Sequence, residues 1–376
     1  MTRRRSTDSK TYQPLKSGAE TQDARTRLDV HQAVTDKIIA AIEAGAGTFE
    51  MPWHRPGVAF TIPRNAATEK PYRGTNILAL WIDAQEKKFE HQVWATYRQF
   101  AELGAQVRKG EKGSLIVKYG EWVPKDDGRN ANAHTKARKK REAADTSDDD
   151  DDGKRLYAKP AWVFNIDQVD APDELRARLA PAVVARADLT TRLAHVDAFI
   201  ANTGAEFREG GQRAFYRHPR ANGDGDFIQM PPRDLFTGTT TSTPTEAYES
   251  TRLHELGHWS GAEKRLNRDF GKRFGDQAYA FEEIVVEISA AMNCAHLGIA
   301  NEPRLDHAQY IAHWLEILKG EKKAIFSAAS LATQIVDYLH GLQPKPQPDP
   351  EPERMDTPQR NANRAVTATP SLEGPR

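Results

Sequence analysis

The chain has 376 residues, long enough for two domains that each bury a core of their own. Its 53 Lys plus Arg balance its 53 Asp plus Glu, so net charge neither announces nor excludes a polyanionic partner, and charge has to be read segment by segment. A single cysteine, Cys294, excludes an internal disulfide, and its apolar helical setting (Ile288, Ala291, Met292, Ala295) predicts a buried reduced thiol. The longest apolar run, Ile77 to Ile82, is far shorter than a bilayer span, and Arg3-Arg4-Arg5 leads into polar residues. The expectation is a cytoplasmic protein with no membrane partner.

Residues 1–28 hold too few bulky apolar side chains to offset ordering and are expected to form a disordered tail. From His31 to Ala46, Val34, Ile38, Ile39 and Ile42 recur at helical spacing until Gly45 and Gly47. A strand is expected at Phe60-Thr61-Ile62, then helices over Ile77–Gln85 and Thr96–Leu103. Ser114–Tyr119 and Ala161–Ile166 read as paired strands. The insert between them, 125–154, joins a basic block to five aspartates, has no apolar period and is expected to be a disordered loop.

A charged connector covers 171–188, and a second domain, 189–342, follows the first, 29–170. It opens with a helix carrying Leu193, Val196, Phe199 and Ile200, followed by short strands at Ala214–Arg217 and Phe227–Met230. Pro244 is placed to begin a helix with Thr245–Trp259 as its body, and helices are expected over Phe281–Leu297, Ala308–Leu318 and Glu321–His340. Residues 343–376, rich in proline and charge, form a second expected tail. The fold class is α+β: an N-terminal α+β domain, then a mainly helical domain with a small edge sheet.

The run His254-Glu255-Leu256-Gly257-His258 carries the clearest chemistry. Residues four apart share a helix face, so His254 and His258 can offer imidazole nitrogens to one Zn2+ ion. Glu255, one position on, is placed to take a proton from water at the metal, as peptide hydrolysis requires. A catalytic zinc takes a third protein ligand. Glu283 and Glu287 share one helix face, and Glu287 is preferred because Ala290 and Ala291 follow it and permit close packing on the histidine helix. Glu283 then orients a histidine; the swapped assignment is the alternative. Glu282 is expected to do no more than solvate a helix N-terminus. Asp226–Met230 is a candidate edge strand beside the cleft, open to an extended peptide, with an ordinary core strand as the other reading.

Tyr72-Arg73-Gly74-Thr75-Asn76, Trp94-Ala95-Thr96-Tyr97-Arg98-Gln99, Val107–Gly113 and Val163-Phe164-Asn165 together resemble the N-terminal domain of ArdC-type antirestriction proteins. The segment from Asp226 through His254–Gly261 to Ile299 is similar to the zincin-type metallopeptidase domain that follows it in that family. The resemblance spans roughly residues 30–342 without the charged insert. It implies single-stranded DNA as a partner, protection of incoming plasmid or phage DNA from restriction, and carriage on mobile elements. The first domain is compatible, because phosphates need cations and bases need aromatic faces. Candidate DNA-binding residues are Trp53, Arg55, Asn65, Tyr72, Arg73, Asn76, Arg98, Arg108, Lys109 and Lys112. Trp81 and Trp94 read as core, and Asn65 and Asn76 have an alternative as turn-stabilising residues.

Two functions follow. The first is a single-stranded-DNA binder with a zinc peptidase site acting on a host protein. The second is a DNA-binding protector whose zinc is only structural. A primase role for the first domain lacks a recognisable nucleotidyl-transfer motif.

Overall fold

The computed structural model describes residues 28–45, 61–122, 155–180, 189–220, 224–238, 242–268, 277–300 and 308–345. Most of the two expected tails, the 125–154 insert, and Trp53 and Arg55 lie outside these residues.

Helix α1 (Val30–Gly45) buries Val34, Ile38 and Ile42 at four-residue spacing, and the Asp29 carboxylate caps it by accepting from the His31 and Gln32 amides. After it come β1 (Arg64–Asn65), α2 (Thr75–Glu86), β2 (Val93–Ala95), α3 (Tyr97–Glu102), β3 (Gln106–Val107), β4 (Ser114–Trp122), β5 (Arg155–Asn165) and β6 (Val169–Asp170). No strand forms at Thr61-Ile62; β1 begins at Arg64 instead. The main sheet runs β1-β2-β5-β4, with β1 and β2 parallel and the other neighbours antiparallel. The hairpin of β4 and β5 was legible as paired strands but is longer than the sequence indicated. Its outer strand, β4, is a sheet edge.

The second half runs α4 (Asp173–Leu179), α5 (Leu189–Asn202), β7 (Glu206–Glu209), β8 (Phe215–Arg217), β9 (Phe227–Met230), α6 (Pro244–Ser260), α7 (Gln277–Leu297), α8 (Ala308–Gly320) and α9 (Ala324–Gly341). Sheet order β7-β9-β8 makes Phe227–Met230 the central strand, which corrects its expected place at an edge: both of its backbone sides are already paired. Helix α6 starts as its sequence dictates. Thr243 accepts from the Glu246 amide, Glu246 reaches back to the Thr243 amide, and Pro244 sits in the first turn.

One apolar cluster runs through both halves. It joins Val34, Ile38, Leu78 and Val117 of the first half to Leu253, Leu256, Ile288, Trp314 and Ile335 of the second. Polar ties reinforce the seam: Thr35 donates to the Lys322 carbonyl at 2.6 Å, and Asp29 and Glu43 pair with Lys322 and Lys319. A smaller cluster around Phe100, Ile166 and Leu179 fills the far side of the main sheet.

Candidate metal centre and nucleic-acid surface

Helices α6 and α7 pack face to face, and Gly257 sets how closely. A Cβ at that position would stand 2.8 Å from Val286 Cγ1 and 3.0 Å from Ser289 Oγ. Glycine therefore lets the two helices approach until the side chains of one reach those of the other.

His254 and His258 share one face of α6, with ring centroids 5.0 Å apart. His254 Nε2 lies 3.5 Å from one Glu283 oxygen and His258 Nε2 lies 3.4 Å from the other. One ligand atom from each of His254, His258 and Glu283 falls within 4.8 Å of the other two. The remaining imidazole nitrogens face outer carboxylates: His254 Nδ1 is 3.3 Å from Glu287 and His258 Nδ1 is 3.5 Å from Glu282. The preferred sequence assignment put Glu287 at the metal and Glu283 behind a ring, and the swapped assignment is the one this geometry favours. Glu283 stands where both Nε2 atoms converge, and Glu287 stands behind one ring. Two imidazoles and a carboxylate, each ring held from behind by another carboxylate, are a donor set that fits a first-row divalent cation.

Glu282 departs from its expected role as a solvated helix-terminal charge. It is 2% exposed, and Arg268 grips it at 2.8 and 3.2 Å while also donating to Ser260 Oγ and the Gly257 carbonyl. Glu255 is buried beside the histidines. Burial opposes charge on His258, but Glu283 and Glu282 at its two nitrogens outweigh this and hold its pKa at about 10. Burial likewise penalises the Glu283 carboxylate, yet His258 and His254 hold it well below the usual carboxylate range. The site is thus built to keep positive charge among buried carboxylates, a requirement that a divalent cation also meets. Cys294 lies deeper in α7, fully buried, and burial pushes its thiol well up.

The N-terminal residues expected to meet DNA fall into two groups. Asn65, Tyr72, Arg73 and Asn76 line one cleft of about 530 Å³, together with Gln99, Ile116, Lys118 and Tyr119. Within it, Asn65 accepts from the Ala67 and Thr68 amides at 3.0 Å and donates to the Tyr72 hydroxyl at 3.1 Å. Asn76 donates to the Val117 carbonyl and accepts from its amide, which closes the free edge of β4 at that residue. Asn65 therefore holds its own turn, the alternative considered for it, whereas Asn76 holds a distant strand rather than a turn. Burial raises the Tyr72 phenol. Arg73 pairs with Asp337 of α9.

Arg98, Arg108, Lys109 and Lys112 lie away from that cleft's lining. Arg98 pairs with Glu102 on the outside of α3, Arg108 ties Glu111 to the Asp167 carbonyl, and Lys109 and Lys112 are exposed. Trp81 and Trp94 are 3% and 0% exposed and belong to the core. Among the described residues of this half the exposed aromatics are others: Tyr97, Tyr119, Tyr157 and Trp162.

Comparison with known proteins matches the shape of these two halves. A family model described as the N-terminal domain of anti-restriction factor ArdC matches residues 28–164, and one described as a zincin-like metallopeptidase matches 194–331. The crystal structure of antirestriction ArdC protein from R388 plasmid, metal-free, is 37% identical with a TM-score of 0.61, covering 84% of this chain and 98% of that one. The chain belongs to the ArdC antirestriction family. A Mn(II)-bound structure of the same R388 protein is 35% identical, with a TM-score of 0.60 and the same coverage. An uncharacterized protein, y4eC, of Sinorhizobium fredii is 42% identical over 85% of this chain and 94% of its own length. DNA primase TraC of Escherichia coli is 32% identical over 84% of this chain, but the match spans only 20% of TraC.

Within this ArdC-family chain, Arg268 and the inward role of Glu282 escaped the sequence reading because neither residue lies at a recognisable spacing from the histidines. The exposed aromatics Tyr157 and Trp162 escaped it because alternation along a hairpin does not say which face stays wet. Among the described residues, no helix is long and apolar enough to cross a membrane.

Proposed function

We propose that the chain binds single-stranded DNA through its N-terminal half and carries in its second half a zinc peptidase centre that cleaves a host protein, the two together protecting incoming DNA from restriction. The observation that carries this reading is the convergence of His254, His258 and Glu283 on one point with Glu255 buried beside them. In this reading those three residues hold the metal, Glu287 and Glu282 orient the two rings, and the ion supplies Lewis acidity toward a peptide carbonyl. Glu255 takes the proton released from the attacking water and returns it to the leaving amine. A site of purely structural role has no need of a carboxylate at position 255. Support for DNA binding comes from the ArdC N-terminal match and from exposed cations and aromatic rings on the same half.

Glu255→Gln tests the reading. Expected are retained metal content and retained single-strand binding, with loss of plasmid survival in a restricting host. Full survival with this variant would establish the alternative, a DNA-binding protector with a structural metal.

A further inference from the structure

The cleft holding Asn65, Tyr72, Arg73 and Asn76 has a wall from the other half of the molecule. Phe326 and Ser330 of α9 line it together with Ile116, Val117, Lys118 and Tyr119 of the edge strand β4. Its volume, about 530 Å³, falls in the range of small-ligand pockets. The floor is apolar, from Ile116, Ala161 and Val163, and one edge is a polar network in which Gln99, Asn65 and the Tyr72 hydroxyl exchange hydrogen bonds. Tyr119, which is 53% exposed, and Phe326 supply aromatic lining, and His31, outside the lining, bridges them, with its ring edge-on to Phe326 at 4.7 Å and 6.3 Å from Tyr119.

The charge around this cleft is unusual. Lys118 and Lys159 stand directly opposite each other in the β4–β5 ladder, and both are exposed. Like charges in that position disfavour the sheet, and an anion between them relieves that repulsion. Beyond them the Tyr157 ring covers Gly120, where a Cβ would come within 2.5 Å of it, and Lys159 sits 4.4 Å from that ring. On the opposite rim Arg73 is held by the exposed carboxylate of Asp337.

We propose that this cleft between the two halves receives a nucleobase of single-stranded DNA, with neighbouring phosphates on the Lys118–Lys159 pair and on Arg73, where Asp337 occupies the phosphate position until the strand arrives. The inference rests on the single-strand-binding reading above. A flat aromatic base matches the apolar lining and the rings of Tyr119 and Phe326, and its polar edge meets the Gln99 network. A duplex cannot offer a base in this way. The C-terminal half therefore contributes to DNA binding directly, through α9.

The test uses the full chain, a fluorescein-labelled oligothymidylate and its duplex form. Ser330→Trp, on an exposed helix position, fills the cleft and is expected to weaken single-strand binding by roughly tenfold or more. Asp337→Asn frees Arg73 and is expected to tighten binding roughly two- to fivefold at low salt. Photocrosslinking of the unaltered chain to iodouracil-substituted oligonucleotide is expected to mark Phe326, Tyr119 or Tyr72. Unchanged affinity of a folded Ser330→Trp variant, or crosslinks confined to Tyr97 and Trp162, would overturn the cleft while leaving single-strand binding intact. Equal affinity of the unaltered chain for both forms of DNA would overturn the reading beneath it as well.

Discussion

At the metal centre His254, Glu255, Glu282, Glu283 and Glu287 are each 5% exposed or less, and each imidazole meets a carboxylate at both nitrogens. At the N-terminal surface the cations are wet, and Arg73, Arg98 and Arg108 each spend charge on a nearby acid. The first region is preorganised: its charges are desolvated, paired and fixed by two helices that cannot slide without collision. The second holds its charges in exchangeable pairs worth little apiece, which suits a partner that arrives as a string of phosphates. On the functions proposed above, a site for one small ion and a site for a polymer call for opposite treatment of the same side-chain types.

Exchanging the two inner glutamates breaks the comparison most sharply. Glu283→Gln is expected to abolish stoichiometric metal binding, measured by elemental analysis after dialysis, whereas Glu287→Gln lowers affinity by roughly 10- to 100-fold, as loss of a group behind a ligand does. Equal loss in both variants would return Glu287 to the ligand set. Gly257→Ala comes next. The helix propensity gained, at most about 1 kcal/mol, is outweighed by the overlap with the stiff Val286 side chain, and a net destabilisation of about 1–2 kcal/mol is expected in denaturant titration.

The third prediction concerns pH. In metal-free protein His258 titrates at about 10 against an ordinary 6.5, so its contribution to stability is complete below pH 6.5 and is lost as pH rises through about 10. The melting temperature of chelated protein should fall across that window, and metal should remove much of the fall. A flat profile for chelated protein would show that His258 is not held by its carboxylates. The smallest effect belongs to the surface. Lys109→Ala and Lys112→Ala should each reduce the salt slope of single-strand binding by about one, leaving metal content unchanged.

The helix that carries the histidine pair was legible because its logic is local: two positions four apart on one face, with a cap at Thr243-Pro244 announcing where the helix begins. The choice between Glu283 and Glu287 is not local, because it depends on which turn of α7 crosses the histidines, a matter of helix register. Small residues after Glu287 did signal close approach, but the glycine that governs it sits in the other helix. In the sheets, β2 is three buried residues and β7 is the polar run Glu206-Phe207-Arg208-Glu209, so neither shows a period. Asn65, at the end of β1, and Asn76, in the first turn of α2, both hold backbone, since an asparagine side chain bonds a peptide group as readily as a ligand.

The seam where α1 meets α8 and α9 bears on how this chain can be divided. Although α1 comes first in the sequence, it supplies Val34 and Ile38 to the cluster that also holds Trp314 and Ile335. A gene fragment ending before α5 would leave that apolar stripe without its covering, and a fragment beginning there would expose the matching groove. Cutting the intact protein at a protease site engineered into residues 181–188 should instead give two polypeptides that elute together, each acting as the other's chaperone. The same fragments expressed separately should recover solubility only when mixed.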